Sequence, residues 1–213
     1  MKITIIYDNE TVRDDLIADW GFACLVEAHG RTILFDTGAR GAILTGNMKK
    51  LKIDPASIDD VVISHAHWDH TGGLSEFLSL NRDVRLFVPA SLAIGGGAAK
   101  EVVPITESIP ISKRIYSTGE LAGVEQSLAI DTDKGLVVVA GCSHPGVKEI
   151  LHAASGYGTM YALIGGLHGF SQFEAIKDLG LICATHCTQY TSQIRELFPD
   201  IFVEGGAGQV IEI

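Results

Sequence analysis

Cysteine is scarce in this chain, with four among 213 residues, too few for the disulfide framework that staples small secreted domains. That scarcity points to a reduced, cytoplasmic setting. Basic side chains are also in short supply: 16 Lys and Arg face 26 Asp and Glu, a formal charge of −10. This balance argues against a nucleic-acid partner, because phosphate binding needs clustered Lys and Arg. No uninterrupted apolar run approaches the roughly 18 residues of a membrane-spanning helix, so no membrane partner is expected. Met1–Tyr7 runs straight into Asp8, without the basic start, apolar stretch and cleavage site of a signal peptide. Linkers, repeats and low-complexity tracts are missing too. At about 100–200 residues per domain the length allows one large or two small domains, and the lack of a linker favours a single domain over residues 1–213.

Short apolar, β-rich runs recur along the whole length. They predict strands at Lys2–Tyr7, Phe22–Ala28, Thr32–Asp36, Val61–Ser64 and Val84–Val88, then at Arg114–Ser117, Ser127–Asp131, Leu136–Ala140, Tyr161–Ile164, Leu181–Thr185 and Gln209–Ile213. Helices are expected between them. Gly41–Leu51 is one, and Gly73–Leu80 has Leu74, Phe77 and Leu78 on one face. Val147–Ala154 follows Pro145-Gly146; Ser171–Leu179 starts on a Ser cap and stops at Gly180; Tyr190–Phe198 stops before Pro199. Gly95-Gly96-Gly97 reads as a flexible loop, within an apolar stretch Leu92–Ala99 that suits a lid or a contact surface. Hairpins come early and strand–helix alternation late, which favours a layered α/β sandwich over a doubly wound parallel sheet.

Histidine stands out against this ordinary background. It occurs eight times, and three of the eight fall within the six residues His65-Ala66-His67-Trp68-Asp69-His70. An apolar strand leads in, and Gly72-Gly73 leads out into a helix. If extended geometry persists past Ser64, His65 and His67 point the same way and reach one ion. Asp69 and His70, in the turn before the helix, then face a second ion. Imidazole and carboxylate donors suit Zn, Fe, Mn or Ni. His29 reads as a hairpin-tip residue and His152 as a solvated helix residue, while Cys24 and Cys183 lie in apolar strands as small hydrophobes.

The segment HAHWDH resembles the His-x-His-x-Asp-His signature of the metallo-β-lactamase fold superfamily, and Phe35-Asp36-Thr37-Gly38 is similar to its Asp-Thr-Gly strand end. Asp8-Asn9, Asn47, Thr118-Gly119, Gly141-Cys142-Ser143-His144-Pro145-Gly146, Gly165-Gly166-Leu167-His168 and Thr185-His186-Cys187-Thr188 resemble the dihydropterin–ribofuranosylaminobenzene phosphate synthase-like branch. The resemblance implies an α/β fold, a four-layer αββα sandwich, and one or two divalent ions, zinc first. It implies His65, His67 and His144 at one ion and Asp69, His70 and His186 at the other. Asp36 becomes an outer partner that fixes a ligand ring. Asp8, Asn9 and Asn47 become rim residues. One departure stands out: lactamase- and glyoxalase-type members carry a Gly-Asp whose carboxylate bridges the ions, and the turns here read Thr118-Gly119-Glu120 and Gly141-Cys142-Ser143-His144. Cys142 is then a ligand, an outer partner or a packed side chain, and the ion count is one or two.

The implied chemistry is hydrolysis of an ester, lactone, thioester or phosphoester by metal-bound hydroxide, since a bound ion lowers the pKa of water from about 15.7 to about 7. Asp69 and His168 are the catalytic candidates, His168 as proton donor or as a contact for an anionic end of a small-molecule substrate. Two alternatives remain. One is a synthase joining a dihydropterin diphosphate to ribofuranosylaminobenzene phosphate, although no arginine cluster announces a double anion site. The other is a non-catalytic metal- or ligand-binding module.

Overall fold

Apolar runs whose side chains alternate between two buried faces build two sheets in a computed structural model that describes residues 1–94 and 99–213. The first sheet contains β1 (Lys2–Tyr7), β2 (Ala23–Ala28), β3 (Arg31–Phe35), β4 (Asp60–Val62), β5 (Arg85–Pro89), β6 (Glu101–Ile105) and the C-terminal β13 (Val210–Glu212), in the order β13-β1-β2-β3-β4-β5-β6. The second contains β7 (Ile109–Ser112), β8 (Ile115–Ser117), β9 (Leu128–Thr132), β10 (Gly135–Ala140), β11 (Met160–Gly166) and β12 (Leu181–Thr185), in the order β12-β11-β10-β9-β8-β7. Each sheet begins antiparallel and turns parallel, at β3–β4 in the first and β10–β11 in the second.

Between the parallel strands run α1 (Gly41–Lys50), α2 (Trp68–Thr71), α3 (Leu74–Leu80) and α4 (Val147–Ala154), and α5 (Thr191–Leu197) follows β12. The burial pattern gives four layers. Cys24, Val26, Ile33, Phe35, Val137, Val139 and Cys183 face one another between the sheets. Their strand neighbours point outwards: Leu25 and Leu34 pack with Leu44 and Phe77 of α1 and α3, and Val138 and Ile182 pack with Ile150 of α4 and Ile194 of α5. The arrangement is the αββα sandwich implied by the resemblance.

Several expectations change in detail. The helix expected at Ser171–Leu179 is only a 3-10 turn at Phe173–Ile176. Its apolar residues Phe170, Phe173, Ile176 and Leu179 recur every third position, the period of a 3-10 turn rather than of an α-helix, and they pack on the second sheet. Strands β6 and β7 had no sequence signal: both close the edges of their sheets, are half exposed and contain a proline, Pro104 and Pro110. The glycine loop Gly95–Gly97, with Ala98, lies outside the described residues, so half of the stretch Leu92–Ala99 is described. No helix among the described residues is long and apolar enough to cross a membrane.

Candidate metal centre

Strands β1, β3, β4, β10, β11 and β12 release their chains at the same edge of the sandwich, and the loops that follow carry the candidate residues. The carboxyl edge of parallel strands is where α/β folds ordinarily build sites. Strand β4 stops at Val62, and the chain bends at Ala66 before His67, whose φ and ψ of −65° and 145° are again extended. His65 and His67 therefore end with ring centroids 4.5 Å apart, and His65 Nε2 faces His67 Nδ1 at 3.1 Å. Asp69 and His70 sit inside the single-turn α2 rather than in a turn ahead of it, with His67 as N-cap. Gly72 and Gly73 are needed for close approach and not for an unusual φ: a Cβ on them would lie 2.1 Å from Ala39 O and 2.2 Å from Thr37 O.

Two donor sets result. In the first, His144 from the β10 loop closes on His65 and His67, each at 4.8 Å between ring centroids. In the second, Asp69, His70 and His186 bring ligand atoms within 4.8 Å of one another. His70 Nε2 lies 3.2 Å from His186 Nε2, and His186 Nε2 lies 3.3 Å from Asp69 Oδ2. His186 departs from the alternation of β12. Ile182 and Ala184 point to the helix layer, but His186 takes φ 50° just past the end of β12 and turns its ring into the site.

Outer partners fix the rings of His70, His65 and His186. Asp36 Oδ2 holds His70 Nδ1 at 2.7 Å and Ser64 Oγ at 2.7 Å, and Oδ1 accepts from Ser64 N. Ser64 Oγ in turn meets His65 Nδ1 at 2.8 Å. Asn9 Oδ1 lies 3.0 Å from His186 Nδ1, and Asp8 Oδ1 accepts from His186 N. Asp8 and Asn9 thus act behind His186, closer in than a rim. Asn47 does not reach the site. It is fully buried on α1, where its amide binds Ile6 O, Ile17 O and Ile17 N, leaving no polar atom for a substrate.

Two residues with no sequence signal shape the site. Glu125, 1% exposed, accepts hydrogen bonds from the backbone amides of Gly141, Cys142, Ser143 and His144 and so moulds the β10 loop. Trp20 donates Nε1–H to Asp69 Oδ2 at 2.8 Å. Both lie far along the chain from the groups they hold, in segments without periodicity. His168 stands exposed on the β11 loop, its ring centroid 5.1 Å from that of His144.

Electrostatics favour a cation here. Burial, with the neighbouring histidines, pushes His65 well below the usual imidazole range, His70 to about 3 and His144 to about 4. Burial alone would raise Asp69, but its hydrogen bond to His186 and the nearby His70 outweigh this and hold it below the ordinary carboxylate range. Neutral rings then turn lone pairs towards one another, and His144 Nε2 is buried without a hydrogen-bond partner among the described residues. Such a donor set, backed on the far ring nitrogens by the Asp36 carboxylate at His70, the Ser64 hydroxyl at His65 and the Asn9 amide at His186, fits one or two divalent ions.

The description "Metallo-beta-lactamase superfamily" belongs to the family model that matches residues 21–167. Over 90% of this chain and 88% of the relative, the chain is 29% identical to the 7,8-dihydropterin-6-methyl-4-(beta-D-ribofuranosyl)-aminobenzene-5'-phosphate synthase of Methanocaldococcus jannaschii. Among solved structures it is similar to Tm1679, a metal-dependent hydrolase of the beta-lactamase superfamily, with a TM-score of 0.78, 24% identity and coverage of 100% and 99% of the two chains. Zinc-bound PqqB from Methylobacterium extorquens has a TM-score of 0.62 at 12% identity, with both chains fully covered. Since the matched segment takes in well over half of the sequence and both donor sets lie at the edge of the same sandwich, the chain belongs to the metallo-beta-lactamase superfamily.

Proposed function

We propose that the chain is a metal-dependent hydrolase of an ester, lactone, thioester or phosphoester. The observation that carries this reading is the pair of adjoining donor sets, His65/His67/His144 and Asp69/His70/His186, whose lone pairs converge at the loop edge of the sandwich. When bound, one or two divalent ions, with zinc the first choice over Fe, Mn or Ni, supply a nucleophile from water at neutral pH and a Lewis acid for the substrate oxygen. Asp69 is ionised and held in one orientation by Trp20, so it can orient the attacking water by accepting its hydrogen bond. His168 stands on the open side, placed to protonate the leaving group or to hold an anionic end of the substrate. Beside it lies a cleft of about 450 Å³ whose walls include Ser143, Lys148, His168, Phe170 and Gln172. That volume suits a small molecule, and Lys148 offers charge to an anionic one.

The test is a panel of chromogenic phosphodiesters, lactones and thioesters with metal-loaded protein. His67→Ala and Asp69→Ala are expected to abolish turnover of the best substrate. Unchanged turnover in both variants sinks the reading. A second reading, a synthase joining a dihydropterin diphosphate to ribofuranosylaminobenzene phosphate, is favoured by the likeness to the archaeal synthase. Trp20, 51% exposed and 5.2 Å between ring centroids from His186, offers a face for a flat ring. Product formation from that substrate pair promotes it. Bound metal with no turnover of either kind leaves the non-catalytic module.

A further inference from the structure

The donor sets above leave two thiols unexplained. Cys142, 3% exposed, follows β10 and points inwards because Glu125 pins the four amides of its loop. Its Sγ lies 3.2 Å from His70 Nε2. It groups with His65 and His70 in one set of potential ligands, and with His186 and Cys187 in another, all ligand atoms in each set falling within 4.8 Å. Cys142 therefore adjoins both halves of the centre. Cys187 approaches from β12, its Sγ 3.8 Å from Cys142 O. The left-handed turn at His186 brings Cys187 there.

Strand β11 ends between them at Gly166, and no side chain fits there. A Cβ on Gly166 would stand 2.8 Å from Cys187 Sγ and 2.4 Å from Gly141 O. A carboxylate reaching the ions from that strand end would need the volume that the two sulfurs and the backbone occupy. The remaining cysteines, Cys24 and Cys183, are fully buried between the sheets and take no part.

We propose that Cys142 and Cys187 are thiolate ligands of the second ion, joining Asp69, His70 and His186 in a sulfur-containing site in place of a bridging carboxylate. This rests on the metal-dependent reading of the centre. On binding, each S–H bond breaks, the proton leaves to solvent, and the sulfur lone pair forms the bond to the cation, with no change of oxidation state. Thiolates shift preference towards zinc and other thiophilic ions and away from manganese, which favours carboxylate, carbonyl and water oxygens.

The experiment is anaerobic loading of the full chain with cobalt(II), read by absorption and by metal analysis. Wild type is expected to bind two ions and to show thiolate-to-cobalt charge transfer in the near ultraviolet. Cys142→Ser and Cys187→Ser should each weaken the band. The double variant should lose it and fall to one ion per chain, while Cys183→Ala keeps it. Bound cobalt without the band in wild type, or a band that survives in the double variant, overturns the proposal. If cobalt binds and hydrolysis proceeds without the band, the proposal alone fails. A chain that takes up no divalent ion overturns the metal-dependent reading as well.

Discussion

Asp36, Ser143, His168 and His186 are four of the eight non-glycine residues with positive φ among the described residues, and each follows a strand that feeds the centre. Left-handed backbone at such residues costs of order 1–3 kcal/mol and persists where the surroundings impose it. At Asp36 the return is visible: φ 58° turns the carboxylate back onto Ser64 and His70. Asp36→Asn keeps the shape but removes the carboxylate that fixes the proton on His70 Nδ1. Metal affinity is expected to fall about 10- to 100-fold, measured by competition with a chromogenic chelator, while the fold is retained. Affinity equal to wild type would mean that the pair only stabilises the fold. At this scale the ligand types in HAHWDH were legible from sequence. The outer partners Glu125 and Trp20 were not, because a Glu or Trp in an irregular segment carries no mark of what it will bind.

Among the elements, long apolar runs read well. Strands β1 and β12 and helix α4 have the bounds expected of them, because each buries a face whose period shows in the sequence. Where burial is slight, as in β6 and β7, or the apolar period is three, as near Phe173, the reading missed or overextended. Helix α1 shows a different gap. Asn47 looked like part of the site, yet it ties the helix to Ile6 and Ile17 and so anchors the long loop after β1. Asn47→Ala strands the buried Ile6 carbonyl and removes two part-buried hydrogen bonds at Ile17, at a cost of about 2 kcal/mol, or a Tm drop of roughly 4–8 °C. Thermal unfolding and metal analysis together check this; metal content should stay at the wild-type value. A loss of metal without a loss of stability would restore Asn47 to the site.

Of the four carboxyl groups buried around the centre, three hold their protons unusually tightly when metal is removed. Burial raises Asp8 to about 6, Glu125 to about 7 and Asp36 to about 8. At these three groups the folded chain holds protons that the unfolded chain has released, so their contribution to stability falls as pH rises through that window. His70 and His144, lowered to about 3 and about 4, act in the opposite sense below their ordinary value of 6.5. Cys187, lowered to about 6 chiefly by its hydrogen bond to Cys142, also acts in the opposite sense, so a difference between variants isolates a carboxyl group's contribution. Between pH 6.5 and 8, chelator-treated wild type is expected to lose about 1 kcal/mol more stability than chelator-treated Glu125→Gln in urea unfolding. An equal change in the two proteins would contradict it.

The formal charge of −10 takes on a role here, since up to two divalent ions would offset up to four of those charges at the site. The sequence by itself determined the layered α/β class, most strand and helix positions, and the cluster His65–His70, because all of these rest on periodicity or on neighbours within a few residues. Tertiary structure decided the rest. His144, His186, Cys142 and Cys187 meet that cluster only because two sheets, each turning from antiparallel to parallel, release their loops at one edge. Sheet order and facing set those contacts, and no local propensity encodes either.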